Sequence, residues 1–145
     1  MTNGARQMTA HVEAAYKDAV ENILFLKRQQ WVATSYAVLV YAAIFVVSGT
    51  FSRTDFARNI LGIVTIITFG IHWYMMYVFQ RAIQRCRRRL DWVYQTYFSQ
   101  EERVGLDLQL GPIADREQWQ VSTALLLVSL VGAVLTAIYL WSVRT

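Results

Sequence analysis

The chain has 145 residues, of which 55% are hydrophobic, 14% aromatic and 17% charged, with a formal net charge of +4. Such a balance is too apolar for a disordered chain or an ordinary soluble domain, and the length leaves no room for a separate soluble domain beside several membrane spans. The single cysteine, Cys86, excludes an internal disulfide framework.

Residues 1–30 carry Glu13, Asp18 and Glu21 and no continuous apolar core, so a cleavable signal peptide is not expected. Between Ala10 and Ser48 there is neither Gly nor Pro. This spacing predicts one helix over 9–48, because no residue in it interrupts the backbone ladder. Its first half carries a narrow apolar seam of Val12, Tyr16, Ala19, Ile23 and Leu26, at alternating steps of four and three. Its second half lies in an uncharged run, Gln29 to Ser52, with Trp31 at the entry beside Lys27 and Arg28. That run of 24 residues exceeds the roughly 20 needed to cross a bilayer.

A short loop around Gly49 to Arg58 leads to a second helix, predicted over 56–99, which begins with another uncharged run from Asn59 to Gln80. Thr65, Thr68 and His72 fall at i, i+3 and i+7 within it, on one helical face. His72 is the one ionisable group inside a span, and such residues mark candidate functional sites. The stripe suits either a narrow polar path or hydrogen bonds to a neighbouring helix, the latter being the commoner use. Beyond the span stands a basic cluster, Arg81, Arg85, Arg87, Arg88 and Arg89, suited to anionic lipid headgroups or to an anionic partner such as a nucleotide, a nucleic acid or an acidic protein face. Nucleic acid receives little support, since no recognition fold accompanies the cluster. A second seam follows the same four-three rhythm through Ile83, Cys86, Leu90, Val93 and Tyr97. At ~1.5 Å per residue each long helix is about 60 Å in length, so half of each is expected to stand clear of the bilayer. The two halves would then form a coiled-coil-like antiparallel stalk. Its fold would bring Asp18 and Glu21 within reach of Arg85, Arg88 or Arg89.

Residues 100–117 are expected to be an extended connector. Val104, Leu106, Leu108 and Leu110 alternate with Gly105, Asp107 and Gln109 before Gly111-Pro112 breaks the path. The third uncharged run, 118–143, is bracketed by Trp119 and Trp141, an indole for each interface. Small residues repeat along two spans, as Ser35, Ala42 and Gly49 and as Ser129, Ala133 and Ala137, with Ser122 and Thr136 nearby. Such spacings allow close helix approach and favour self-association.

Charge sets the expected orientation. With the three runs as walls, 11 of the 14 Lys and Arg residues fall before the first span or in the 81–118 connector. The positive-inside rule therefore puts the N-terminus and that connector in the cytoplasm and the C-terminus outside, across a cell inner membrane. Cys86 would then be a reduced thiol.

The fold class is accordingly an all-α membrane protein. It is one membrane domain over 1–145 with three transmembrane helices, the first two extended into a cytoplasmic antiparallel stalk. No phosphate-binding glycine loop, nucleophile elbow or metal-spaced His/Cys cluster is present. His11 and His72 lie too far apart on the expected rod to share a metal. Neither enzyme activity, a cofactor nor a metal is expected.

A Tyr16-Lys17 helix running through Leu26-Lys27-Arg28-Gln29-Gln30-Trp31 into a span, then a return span and a basic helix, resembles the small bacterial SLATT-type membrane proteins. The layout is also similar to RipA-like octameric membrane proteins. The likeness covers residues 10–100, and the third span is additional to the two-span SLATT pattern. It implies an oligomeric inner-membrane assembly, in some cases a pore-forming effector. The expected function is a homo-oligomeric assembly or docking scaffold, with conduction as an extension. An accessory subunit anchoring an unrelated enzyme or transporter is the alternative.

Overall fold

The computed structural model describes residues 9–51, 54–105 and 112–142, and every element among them is helical. The helices are α1 (Ala10–Phe51), α2 (Asp55–Tyr97), α3 (Gln100–Gly105) and α4 (Pro112–Ser142). Three of them are long and apolar enough to cross a membrane. The expected helix limits at 9–48 and 56–99 hold to within three residues, the ordinary fraying of helix ends.

Local chemistry explains where the helices start. At α2 the Thr54 hydroxyl accepts from the Ala57 backbone N–H at 3.3 Å, and Asp55 adds negative charge to the first turn. At α3 Ser99 and Glu102 form a reciprocal cap. The Glu102 N–H donates to Ser99 Oγ at 3.2 Å, and the Ser99 N–H donates to Glu102 Oε2 at 2.8 Å. Pro112 opens α4, where its fixed φ and missing donor suit a first helical position.

The 100–117 connector departs from the extended reading at both ends. Val104 and Gly105 close α3, and residues 112–117 already belong to α4; Leu106 to Leu110 lie outside the described residues. The physical reason is visible in the caps. A Ser-x-x-Glu box and a helix-initiating proline outweigh a short polar–apolar alternation.

The chain divides into two compact units. In the first, described over 9–28, 79–105 and 112–120, Ala19, Leu90 and Tyr94 form a core. Tyr16, Val20, Ile23, Cys86 and Phe98 pack around it. In the second, described over 29–51, 54–78 and 121–142, α1 buries Gln30, Thr34, Ala37, Tyr41, Ile44 and Ser48, again at steps of four and three.

Burial in the second unit reverses the pattern of a water-soluble protein. Ser129 and Thr136 are fully buried, whereas Val46 is 74% exposed and Ile66 72%. Hydrocarbon outside and polar groups paired inside is the arrangement a bilayer demands, because lipid offers no hydrogen bonds. A soluble monomer does not present an apolar surface of this extent.

Candidate functional site: a polar clamp inside the three-helix unit

The richest chemistry lies where α1, α2 and α4 of the second unit meet. Gln30 and Thr34 come from consecutive turns of α1, His72 from α2 and Ser122 from α4, and all four are buried. The Thr34 hydroxyl donates to the Gln30 backbone carbonyl at 2.9 Å. Its oxygen lies 3.1 Å from His72 Nε2. The Gln30 side-chain amide donates to Ser122 Oγ at 3.4 Å, a long and weak bond. A single chain of neutral contacts thus ties three helices together.

The bonding pattern assigns the histidine tautomer. Thr34 has one hydroxyl proton, and the Gln30 carbonyl takes it, so Thr34 Oγ1 accepts from His72 Nε2–H. In the neutral ring Nδ1 is then the bare acceptor, and it is buried without a hydrogen-bond partner. This direction matters for function. A base that activates a hydroxyl must accept its proton, whereas His72 gives one. The hydrogen bond joins α1 to α2.

A second tie lies farther along α1. Tyr41 Oη and Ser129 Oγ are 3.2 Å apart and buried. Gly132, on the next turn of α4, lies against the Tyr41 ring so closely that an added Cβ would meet Cδ2 at 2.7 Å. The Thr136 hydroxyl bonds back to the Gly132 carbonyl at 2.7 Å. Small residues here permit backbone approach, as membrane helices require in place of a hydrophobic drive.

The expected Thr65–Thr68–His72 stripe turns inward. Thr65 and His72 are buried and Thr68 is half-buried. The Thr65 hydroxyl donates to the Leu61 carbonyl at 2.9 Å. The sequence pattern marked His72 but missed Gln30 and Thr34. A glutamine inside an uncharged run, one residue before Trp31, was the available signal, since it must find a partner there.

In the first unit most of the two expected seams meet. Ala19, Ile83, Leu90 and Val93 are buried, while Val12, Tyr16, Ile23, Leu26 and Cys86 are half-buried. Tyr94, which the four-three rhythm passed over, is buried, and Tyr97, which ends the expected seam, is half-buried. Its hydroxyl lies 3.1 Å from that of Tyr16, with the rings edge to face at 5.9 Å.

In the basic cluster Arg81, Arg85, Arg88 and Arg89 are exposed and Arg87 is half-buried. Asp18 and Glu21 form no ion pair with Arg85, Arg88 or Arg89 among the described residues. Glu13 and Lys17 pair instead along one helix at 2.8 Å. One turn of a helix holds such a pair in reach without constraining a second helix. Arg88 and Arg89 border a shallow groove of about 450 Å³ floored by Ala15, Ala19 and Val93, with His11 and exposed Trp92 on its rim.

Among the described residues no group of three or more His, Cys, Asp or Glu is placed to hold a metal ion. No family model, curated protein or solved structure matches this chain.

Proposed function

We propose that the protein is a non-enzymatic, homo-oligomeric scaffold of the bacterial inner membrane. The second unit is its membrane anchor, and the first is a cytoplasmic antiparallel stalk that assembles with copies of itself. The Tyr16–Tyr94 pair and the Ala19–Leu90–Tyr94 core support the stalk. The distribution of Lys and Arg supports its cytoplasmic side.

One observation carries the assembly. In the first unit Leu24 is 63% exposed and Phe25 57%, and Trp92, 58% exposed, lines a groove together with Arg88 and Arg89. Large apolar side chains on a surface facing water mark a protein contact. Ser35 and Ala42 support the same reading on α1, because both are exposed and so available to a neighbouring copy. The bonding of Thr65 and His72 within one chain supports a packing role for their stripe over a conducting one. The cationic edge of the groove supports a second reading, an accessory subunit that docks an acidic protein face.

The test is the double substitution Leu24→Asp, Phe25→Asp. Its native mass in mild detergent should fall below that of the parent, with helix content unchanged. An unaltered mass would remove this surface from the assembly.

A further inference from the structure

The second unit carries a groove between α2 and α4 that the polar clamp does not use. It has a volume of about 780 Å³ and is polar at one end alone. That end holds Arg58 and Asn59 from the start of α2 and Trp141 from the end of α4. Inward from them the walls are hydrocarbon and small residues, among them Gly62, Ala133 and Ala137. Thr65 lies on the floor, but its hydroxyl is satisfied by Leu61 and asks nothing of an occupant.

We propose that this groove binds one acyl chain of a glycerophospholipid, with the lipid phosphate at Arg58. Length favours a lipid chain over a helix of another subunit. The α2 wall runs from Arg58 to Phe69, roughly 16 Å at ~1.5 Å per residue. That is the depth of one leaflet, half of a hydrocarbon core of ~30 Å. A partner helix would need a seat across the full thickness. Charge points the same way. The Arg58 side chain is 19% exposed and pairs with Asp55, whose side chain is 85% exposed. A guanidinium has five N–H donors, and one carboxylate leaves donors for a phosphate. An indole at the same end is the usual companion of headgroups.

Gly62 gives a clean test, because a Cβ added there meets nothing within 4 Å. Gly62→Leu therefore starts its side chain in open space at the groove wall and improves local helix propensity. Purified parent, Gly62→Leu and Arg58→Gln would be titrated with palmitoyl-oleoyl phosphatidylglycerol and read by native mass spectrometry. The parent should retain one tightly bound lipid per protomer, and each variant should bind it about tenfold more weakly. Equal uptake by parent and Gly62→Leu would overturn the proposal. So would unchanged uptake with a reduced native mass, which would make the groove a subunit contact. In the unsubstituted protein, a phospholipid with a photoactivatable acyl chain should label peptides 58–69 and 133–141. Labelling spread evenly over the exposed faces of all three long helices would contradict the site.

Discussion

His72 Nε2 stands 3.1 Å from Thr34 Oγ1, and a third group fixes the direction of that bond, because the Thr34 proton goes to the Gln30 carbonyl. Thr34→Val keeps the shape of the side chain and leaves a buried N–H without an acceptor. We expect a loss of about 1–2 kcal/mol in unfolding by sodium dodecyl sulfate titration. His72→Gln retains a donor of similar reach and should cost no more than about 0.6 kcal/mol. Equal losses in the two variants would show that the donor and acceptor roles are assigned wrongly.

Gly132 and Gly70 form a matched pair for testing helix contact. A Cβ at Gly132 would meet the buried Tyr41 ring at 2.7 Å, whereas one at Gly70 meets nothing within 4 Å. The ring cannot swing aside freely while its hydroxyl is held by Ser129. Gly132→Ala should destabilise the fold by about 1–3 kcal/mol. Gly70→Ala should be neutral or stabilising by up to ~1 kcal/mol, from helix propensity. The same detergent titration reads both, and a harmless Gly132→Ala would mean that α1 and α4 do not approach as described.

These contacts show which features were legible in the chain. Long charge-free runs and the lack of Gly and Pro announced three long helices, because backbone satisfaction in lipid leaves few alternatives. The seam of Ala19, Ile83, Leu90 and Val93 was readable because burial follows apolar period. Tyr94 was not, since it and Tyr97 both lie near the seam and the Tyr16 hydroxyl favours one of them. Gln30 was hidden by its position at the edge of a run, where a polar residue reads as a boundary. The alternation that begins at Val104 points to an extended connector, whereas the Ser99–Glu102 cap starts a helix over Gln100–Gly105.

That cap makes a pH prediction outside the membrane. The Ser99 backbone N–H, and after it the Ser99 hydroxyl, hold the Glu102 carboxyl below its ordinary value of 4.5. A folded-state pKa below the unfolded one means a contribution present above pH 4.5 and lost as pH falls through the folded value. Hydrogen-exchange protection of α3 amides, corrected for intrinsic rates, should decline over that acidic window in the parent. In Glu102→Gln it should be lower at neutral pH and flat across the window. A parallel decline in both proteins would place the titrating group elsewhere.

If these chains assemble in the membrane as proposed, the native mass of the parent reports it. The protein would be extracted into lipid nanodiscs and released for native mass spectrometry. A homo-oligomer should appear as a discrete assembly at an integral multiple of 16.7 kDa, plus any bound lipid. A single species at 16.7 kDa over the whole range of protein-to-lipid ratios would contradict it.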